Sequence, residues 1–198
     1  MMKAVDIEVV DNFLPTVYFE KLNQLITSEN FLWSYKNDIT NTLNDKSDVL
    51  NYGFNRIMMV NALGERHFDN TFEANFISPL IYSIQDYVNC AVVYRSRLDL
   101  TVSNGREHIH PPHIDLSFTN ISSVFYCNDT DGDTIIYNET RDSFNPDKTH
   151  SDYSVKKRIS PKPNRLLIFS GEYVHTGSSP VESKSRILLN SNFGDVLV

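Results

Sequence analysis

Two spacings of apolar residues divide the chain. Up to Cys90 they recur at helical intervals in two places: Tyr18, Leu22, Leu25 and Ile26 fall at i, i+4, i+7 and i+8, and Phe76, Ile77, Leu80, Ile81, Ile84 and Val88 share a second face. Both predict helices packed against a sheet. A β-branched run over 5–10 precedes the first, and Asp11-Asn12-Phe13-Leu14-Pro15 punctuates the passage into it. Ser78-Pro79 reads either as the N-cap and first residue of a late-starting helix or as a kink in a longer one. Phe31 and Trp33 are assigned to the core. Positions 36–48 have loop chemistry, rich in Asn, Asp, Thr and Lys, and 52–60 read as a strand interrupted by Asn55 and Arg56.

After Cys90 the pattern changes to short β runs at 92–102, 109–118, 121–127, 134–137, 155–159, 166–170 and 186–193. Turn residues separate them at Ser103-Asn104-Gly105, Asp129-Thr130-Asp131-Gly132-Asp133 and Pro161-Lys162-Pro163-Asn164. Helices first and strands after predict a mainly β fold with supporting helices, an antiparallel barrel or jelly roll. The helical support is expected over about 1–90 and the β core over about 91–198. Positions 140–152 are polar and expected to form a mobile loop where a lid would sit.

A length of 198 residues suits one domain, with 40% apolar and 22% charged residues marking a globular chain rather than a disordered one. The net charge of -7 argues against a surface that tracks phosphates, which makes nucleic acid a disfavoured partner. Cys90 and Cys127 fit neither a CxxC nor a zinc-finger spacing and read as free thiols of a reducing compartment. Acidic residues interrupt the N-terminal segment, and no uncharged apolar run approaches membrane-spanning length. The expectation is a soluble, cytoplasmic protein whose oligomeric state the sequence leaves open.

The candidate chemistry lies in His108-Ile109-His110-Pro111-Pro112-His113-Ile114-Asp115. On a strand, residues two apart share a face, so His113 and Asp115 converge, and His175 at the end of an apolar run offers a third ligand. Two imidazoles and one carboxylate, with open corners, form the facial triad suited to Fe(II). His108 and His110 are rivals, but only His113 has a carboxylate two residues on, and Pro111-Pro112 keep all three histidines off one regular face. Either rival then reads as a group facing substrate or supporting the ligands. His67 and His150, among polar neighbours, read as solvated. Asp131-Gly132-Asp133 lacks the bidentate Glu of a calcium loop and reads as a hairpin turn.

His113-Ile114-Asp115, the strand Ser122-Ser123-Val124-Phe125-Tyr126-Cys127-Asn128, the turn Asp131-Gly132-Asp133-Thr134 and Asn164-Arg165-Leu166-Leu167-Ile168-Phe169 ahead of His175 and Arg186 together resemble the 2-oxoglutarate/Fe(II)-dependent dioxygenases, prolyl 4-hydroxylase-like branch. The likeness covers roughly the second half of the chain and implies a double-stranded β-helix, cupin-like fold. It implies Fe(II) on His113, Asp115 and His175, with 2-oxoglutarate and dioxygen taking the open corners and ascorbate as an accessory reductant. Arg186 is the group expected on the distal carboxylate of 2-oxoglutarate, with Lys184 as competitor. Where prolyl hydroxylases present a Tyr to that carboxylate, Phe125 falls in its place; either Tyr126 substitutes through a register shift, or Ser123 or Asn190 supplies the bond. Arg95 and Arg97 fall on a strand that lines the substrate side in that branch, or else form a solvated face with Asp99. The resemblance implies hydroxylation of a C–H bond in a peptide or small molecule, with peptidyl or free proline nearest. Alternatives are a hydroxylase of a small metabolite or modified nucleobase, and a non-catalytic cupin-like metal- or ligand-binding protein.

Overall fold

Pro15 opens helix α1 (Thr16–Ile26), and the spacing read from the sequence buries Leu22 and Ile26 on one face. In α2 (Phe72–Val88) the Thr71 side chain caps the start by accepting from the Ala74 N–H, and Asn89 ends it in the left-handed region at φ 53. Pro79 therefore lies inside the helix. Proline removes the N–H that would bond the Asn75 carbonyl, and the Ser78 hydroxyl donates to that carbonyl instead at 3.0 Å. Ser78-Pro79 is thus a tolerated interior break, not a helix start. The computed structural model behind this description covers residues 5–40 and 49–196. Part of the expected loop 36–48 and the first four residues of the N-terminal reading lie outside the described residues, as do positions 197–198.

The strands are β1 (Ile7–Asp11), β2 (Ser34–Lys36), β3 (Gly53–Ala62), β4 (Glu65–Phe68), β5 (Val92–Val102), β6 (Ile121–Tyr126), β7 (Thr134–Thr140), β8 (Val155–Ile159), β9 (Arg165–Ser170), β10 (Tyr173–Gly177) and β11 (Ser185–Gly194). They form two antiparallel sheets. The larger has the order β1-β9-β6-β11-β5-β3-β2 with β4 on β3, and the smaller the order β10-β7-β8. Alternation along β6 divides its side chains: Ile121 and Phe125 pack under the helices with Leu80, Ile84 and Leu189, whereas Val124 and Tyr126 face the smaller sheet with Ile136, Leu167 and Leu188. Leu80 is fully buried at the centre of the helical layer. Leu80→Ala is expected to cost about 2–5 kcal/mol in urea unfolding.

The mainly β architecture with helical support matches the expectation, with four differences. The first half of the chain is not only support, because β1 and β3 pair with β9 and β5 in the larger sheet. Residues 109–118 form no strand; they touch the sheet only at the bridges Ile109↔Ser178 and His113↔His175, since Pro111 and Pro112 have no N–H to give a ladder. Asp131-Gly132-Asp133 is not a hairpin turn, because β6 and β7 belong to different sheets and the segment crosses between them. Asp131 instead accepts the backbone N–H groups of Val181, Glu182 and Ser183 at 2.8–3.0 Å. The stretch 140–152 is folded into two 3-10 turns, Arg141–Ser143 and His150–Asp152, and tied down by the Arg141–Glu172 pair at 2.7 Å. Both cysteines are free and buried. No helix among the described residues is long and apolar enough to cross a membrane.

Candidate metal centre

The HxD segment is held to β10 by one residue pair. The His113 N–H donates to the His175 carbonyl at 2.9 Å, and the His175 N–H returns the bond to the His113 carbonyl at 3.0 Å. Residues that exchange both bonds sit directly opposite with their side chains on one face. The two rings accordingly stand 4.7 Å apart. Asp115, two residues beyond His113, completes a cluster whose ligand atoms all lie within 4.8 Å of one another.

The hydrogen bonds around the cluster fix the tautomers. His113 Nδ1 lies 3.1 Å from the Pro111 carbonyl and His175 Nδ1 lies 3.0 Å from the Tyr173 carbonyl. A carbonyl only accepts, so each Nδ1 carries a proton and Nε2 is the nitrogen left to serve as a ligand. His175 Nε2 is buried and has no hydrogen-bond partner. Burial, and next the facing His175 ring, push His113 down to about 4, which keeps it neutral at neutral pH. Burial opposes the ionised Asp115, but the Arg95 guanidinium beside it outweighs burial and holds the carboxyl well below the usual range. Arg95 Nη2 donates to Asp115 Oδ1 at 2.7 Å, and Asn192 Nδ2 donates to Oδ2 at 3.0 Å. Two imidazole nitrogens and an ionised carboxylate are a donor set for a divalent metal, and the orphaned Nε2 is an atom such an ion would satisfy.

A cavity of about 80 Å³ runs from this cluster to Arg186, with Val124, Leu188 and Asn190 on its wall. Arg186 is buried; its Nε donates to the Gly132 carbonyl at 2.7 Å and its Nη2 to Thr134 Oγ1 at 2.8 Å. Nη1 makes no hydrogen bond among the described residues, and Thr101 Oγ1 and Asn190 Oδ1 on the same wall are also buried without partners. These groups fit a small anion carrying several oxygens, as 2-oxoglutarate does. Glycine is required beside the guanidinium. A Cβ on Gly132 would meet the Ser178 carbonyl and stand 2.7 Å from Arg186 Cδ, and one on Gly177 would stand 3.1 Å from Nη1. Gly132→Ala is expected to lower stability by about 1–3 kcal/mol through overpacking, read from the urea midpoint.

The other expected site residues separate clearly. Tyr126 lies on the Arg186 side of β6 without any register shift, its hydroxyl donating to Thr134 Oγ1 at 2.6 Å and its ring 5.8 Å from the Arg186 guanidinium. Phe125 faces the helices. Ser123 lies on the Phe125 side and donates to the Ser191 carbonyl at 3.4 Å, so alternation removes it from the cavity, contrary to expectation. Lys184 is exposed, away from the cavity wall that Arg186 occupies. Arg95 and Arg97 are not a solvated face, since their side chains are only 19% and 13% exposed, and Arg95 holds the site's carboxylate.

His110 lines the cavity, bonded to Asn51 Oδ1 at 3.2 Å and Ser179 Oγ at 3.0 Å, and burial pushes it down to about 3. An unfolded chain takes up this proton below pH 6.5 while the folded one refuses it until about 3, so stability falls as the pH drops through that window. The slope from this residue is about 1.4 kcal/mol per pH unit, and His110→Gln is expected to flatten it in urea titrations of chelator-treated protein. His67 and His150 are exposed, as read. Sequence reasoning missed Asn192, Ser122 and Asn120, which surround Asp115 Oδ2 in one network. The only cue to Asn192 was its place on the Arg186 face of β11.

No family model and no curated protein matches this sequence. Solved structures do match. An oxidoreductase of the 2OG-Fe(II) oxygenase family from Burkholderia pseudomallei aligns over 95% of this chain and 85% of its own at 12% identity, with a TM-score of 0.64. At these identities the likeness is one of fold, and the chain has the double-stranded β-helix fold found in the 2OG-Fe(II) oxygenases. Within that class two chemistries stand among the matches. A Pseudomonas putida prolyl-4-hydroxylase aligns over 98% of this chain and 94% of its own at 14% identity and TM-score 0.56. The non-haem alpha-ketoglutarate-dependent epimerase SnoN of nogalamycin biosynthesis covers 96% and 77% at 10% identity and TM-score 0.64.

Proposed function

We propose that the chain is one 2-oxoglutarate- and Fe(II)-dependent oxygenase domain that oxidises a C–H bond of a peptide or small molecule. The observation that carries this reading is the convergence of His113, Asp115 and His175 at one end of a cavity whose other end is a buried guanidinium. His113, His175 and Asp115 hold the metal. When bound, the metal with 2-oxoglutarate and dioxygen supplies an oxidant strong enough for an unactivated C–H bond, releasing succinate and carbon dioxide. The chain itself binds and orients. Arg186 anchors the distal carboxylate, Asn190 and Thr101 offer the remaining polar contacts, and Val124 and Leu188 exclude water from between them.

Hydroxylation, with proline as the nearest substrate class, is the outcome we favour, and the negative charge of the chain speaks against nucleic acid. SnoN, at the same TM-score as the Burkholderia protein, supports a second outcome in which the oxidised carbon is epimerised rather than hydroxylated. The two free, buried cysteines are consistent with a cytoplasmic setting. Anaerobic titration of the apoprotein with Fe(II) and then 2-oxoglutarate is expected to produce a weak visible charge-transfer band, followed by succinate on admission of oxygen. Absence of the band rejects the cosubstrate assignment, and a band without succinate favours a binding protein.

A further inference from the structure

A second, larger cavity of about 310 Å³ adjoins the metal centre on the side of β3 and β5, with Arg97 and Asp99 on the walls of both spaces. Arg97 stands at the junction. Its side chain is only 13% exposed and its Nε donates to Asp99 Oδ2 at 2.9 Å. Its two terminal nitrogens make no hydrogen bond among the described residues, and they are not among the sealed-off atoms of the interior. A guanidinium fork left open on a cavity is a carboxylate-binding group. The neighbouring Arg95 uses Nη2 on both Asp115 and Asn192 and leaves its Nε buried without a partner.

Lys36, Arg95 and Arg97 on the wall of the second cavity are matched by Asp38, Glu65 and Asp99, so what Arg97 offers is a pair of directed donors rather than an excess of charge. Beside Lys36, Asp38, Asn55, Glu65 and Tyr94, the wall carries an aliphatic stretch of Ile57, Val60, Ala62, Leu63 and Leu116. We propose that the oxidised substrate is a small aliphatic carboxylic acid, its carboxylate on the open fork of Arg97 and its chain along this wall. The proposal rests on the oxygenase reading above.

The test uses the full chain loaded with Mn(II) and saturating 2-oxoglutarate, with butanoate, hexanoate and octanoate as probes beside their primary amides. Proton relaxation of each probe, enhanced by the nearby paramagnetic ion, reports binding at this cavity without turnover. At least one carboxylate is expected to bind about tenfold or more tighter than its amide, the worth of one charge-assisted bond. Arg97→Gln is expected to abolish that preference, and Arg97→Lys to restore part of it. Equal binding of acid and amide, no binding by any acid, or a preference that survives in Arg97→Gln overturns the proposal. The wild-type comparison needs no variant to fold. Failure of Mn(II) and 2-oxoglutarate to bind at all appears separately, in the absence of the charge-transfer band with Fe(II), and rejects the oxygenase reading together with this one.

Discussion

Asp115→Ala is expected to lower Fe(II) affinity by more than about a hundredfold, beyond the 10- to 100-fold that supporting residues alone command, and to bring succinate formation to background. The carboxylate is the only negative ligand of the cluster, and both of its oxygens are held by donors from β5 and β11. Its loss also leaves the Arg95 guanidinium with Asn192 Oδ1 alone. A buried pair broken on one side costs about 3–5 kcal/mol, so the variant is also expected to unfold at lower urea. Adding Arg95→Met separates the two effects: stability returns in part, and metal binding, followed by calorimetry, does not. Recovery of metal binding in the double variant would show that Asp115 acts through Arg95 and not as a ligand.

The second large effect falls at the other end of the cavity. Arg186→Gln is expected to raise the concentration of 2-oxoglutarate needed for half-maximal turnover by about a hundredfold, the worth of a paired guanidinium–carboxylate contact, while Fe(II) affinity changes little. Lys184→Ala is expected to leave that concentration unchanged, because Lys184 is exposed and off the cavity wall. Steady-state succinate assays on the two variants decide between the cations. A larger effect at Lys184 than at Arg186 would reverse the assignment.

The site was legible where it depends on local pattern. His113, Asp115 and Arg186 each stand in a short motif or at the head of an alternating strand, and the structure clusters Asp115 with His113 and places His113 and Arg186 on one cavity. What depends on long-range register was not. Whether Tyr126 or Phe125 faces inward is set by the pairing of β6 with β11, in which Tyr126 sits opposite Leu188, and nothing within the strand declares it. Ser123 was misassigned for the same reason. The reading of 109–118 as a strand gave β-branched and aromatic residues more weight than Pro111 and Pro112, which forbid a ladder. The hairpin expected at Asp131-Gly132-Asp133 failed because turn residues say that a chain reverses, not which sheet it joins next. Asn192 was invisible because an asparagine in a strand gains meaning only from the carboxylate it meets.

The pairing of β1 with β9 bears on how the molecule is made. Leu14, just past β1, bonds through its N–H to Asn164 at the mouth of β9, 150 residues further along. β1 is thus synthesised about 150 residues ahead of the neighbour it pairs with, and until then its edge is open to any passing partner. Slow refolding from urea and a need for chaperones during expression are the natural outcome of that delay, whatever the finished fold turns over.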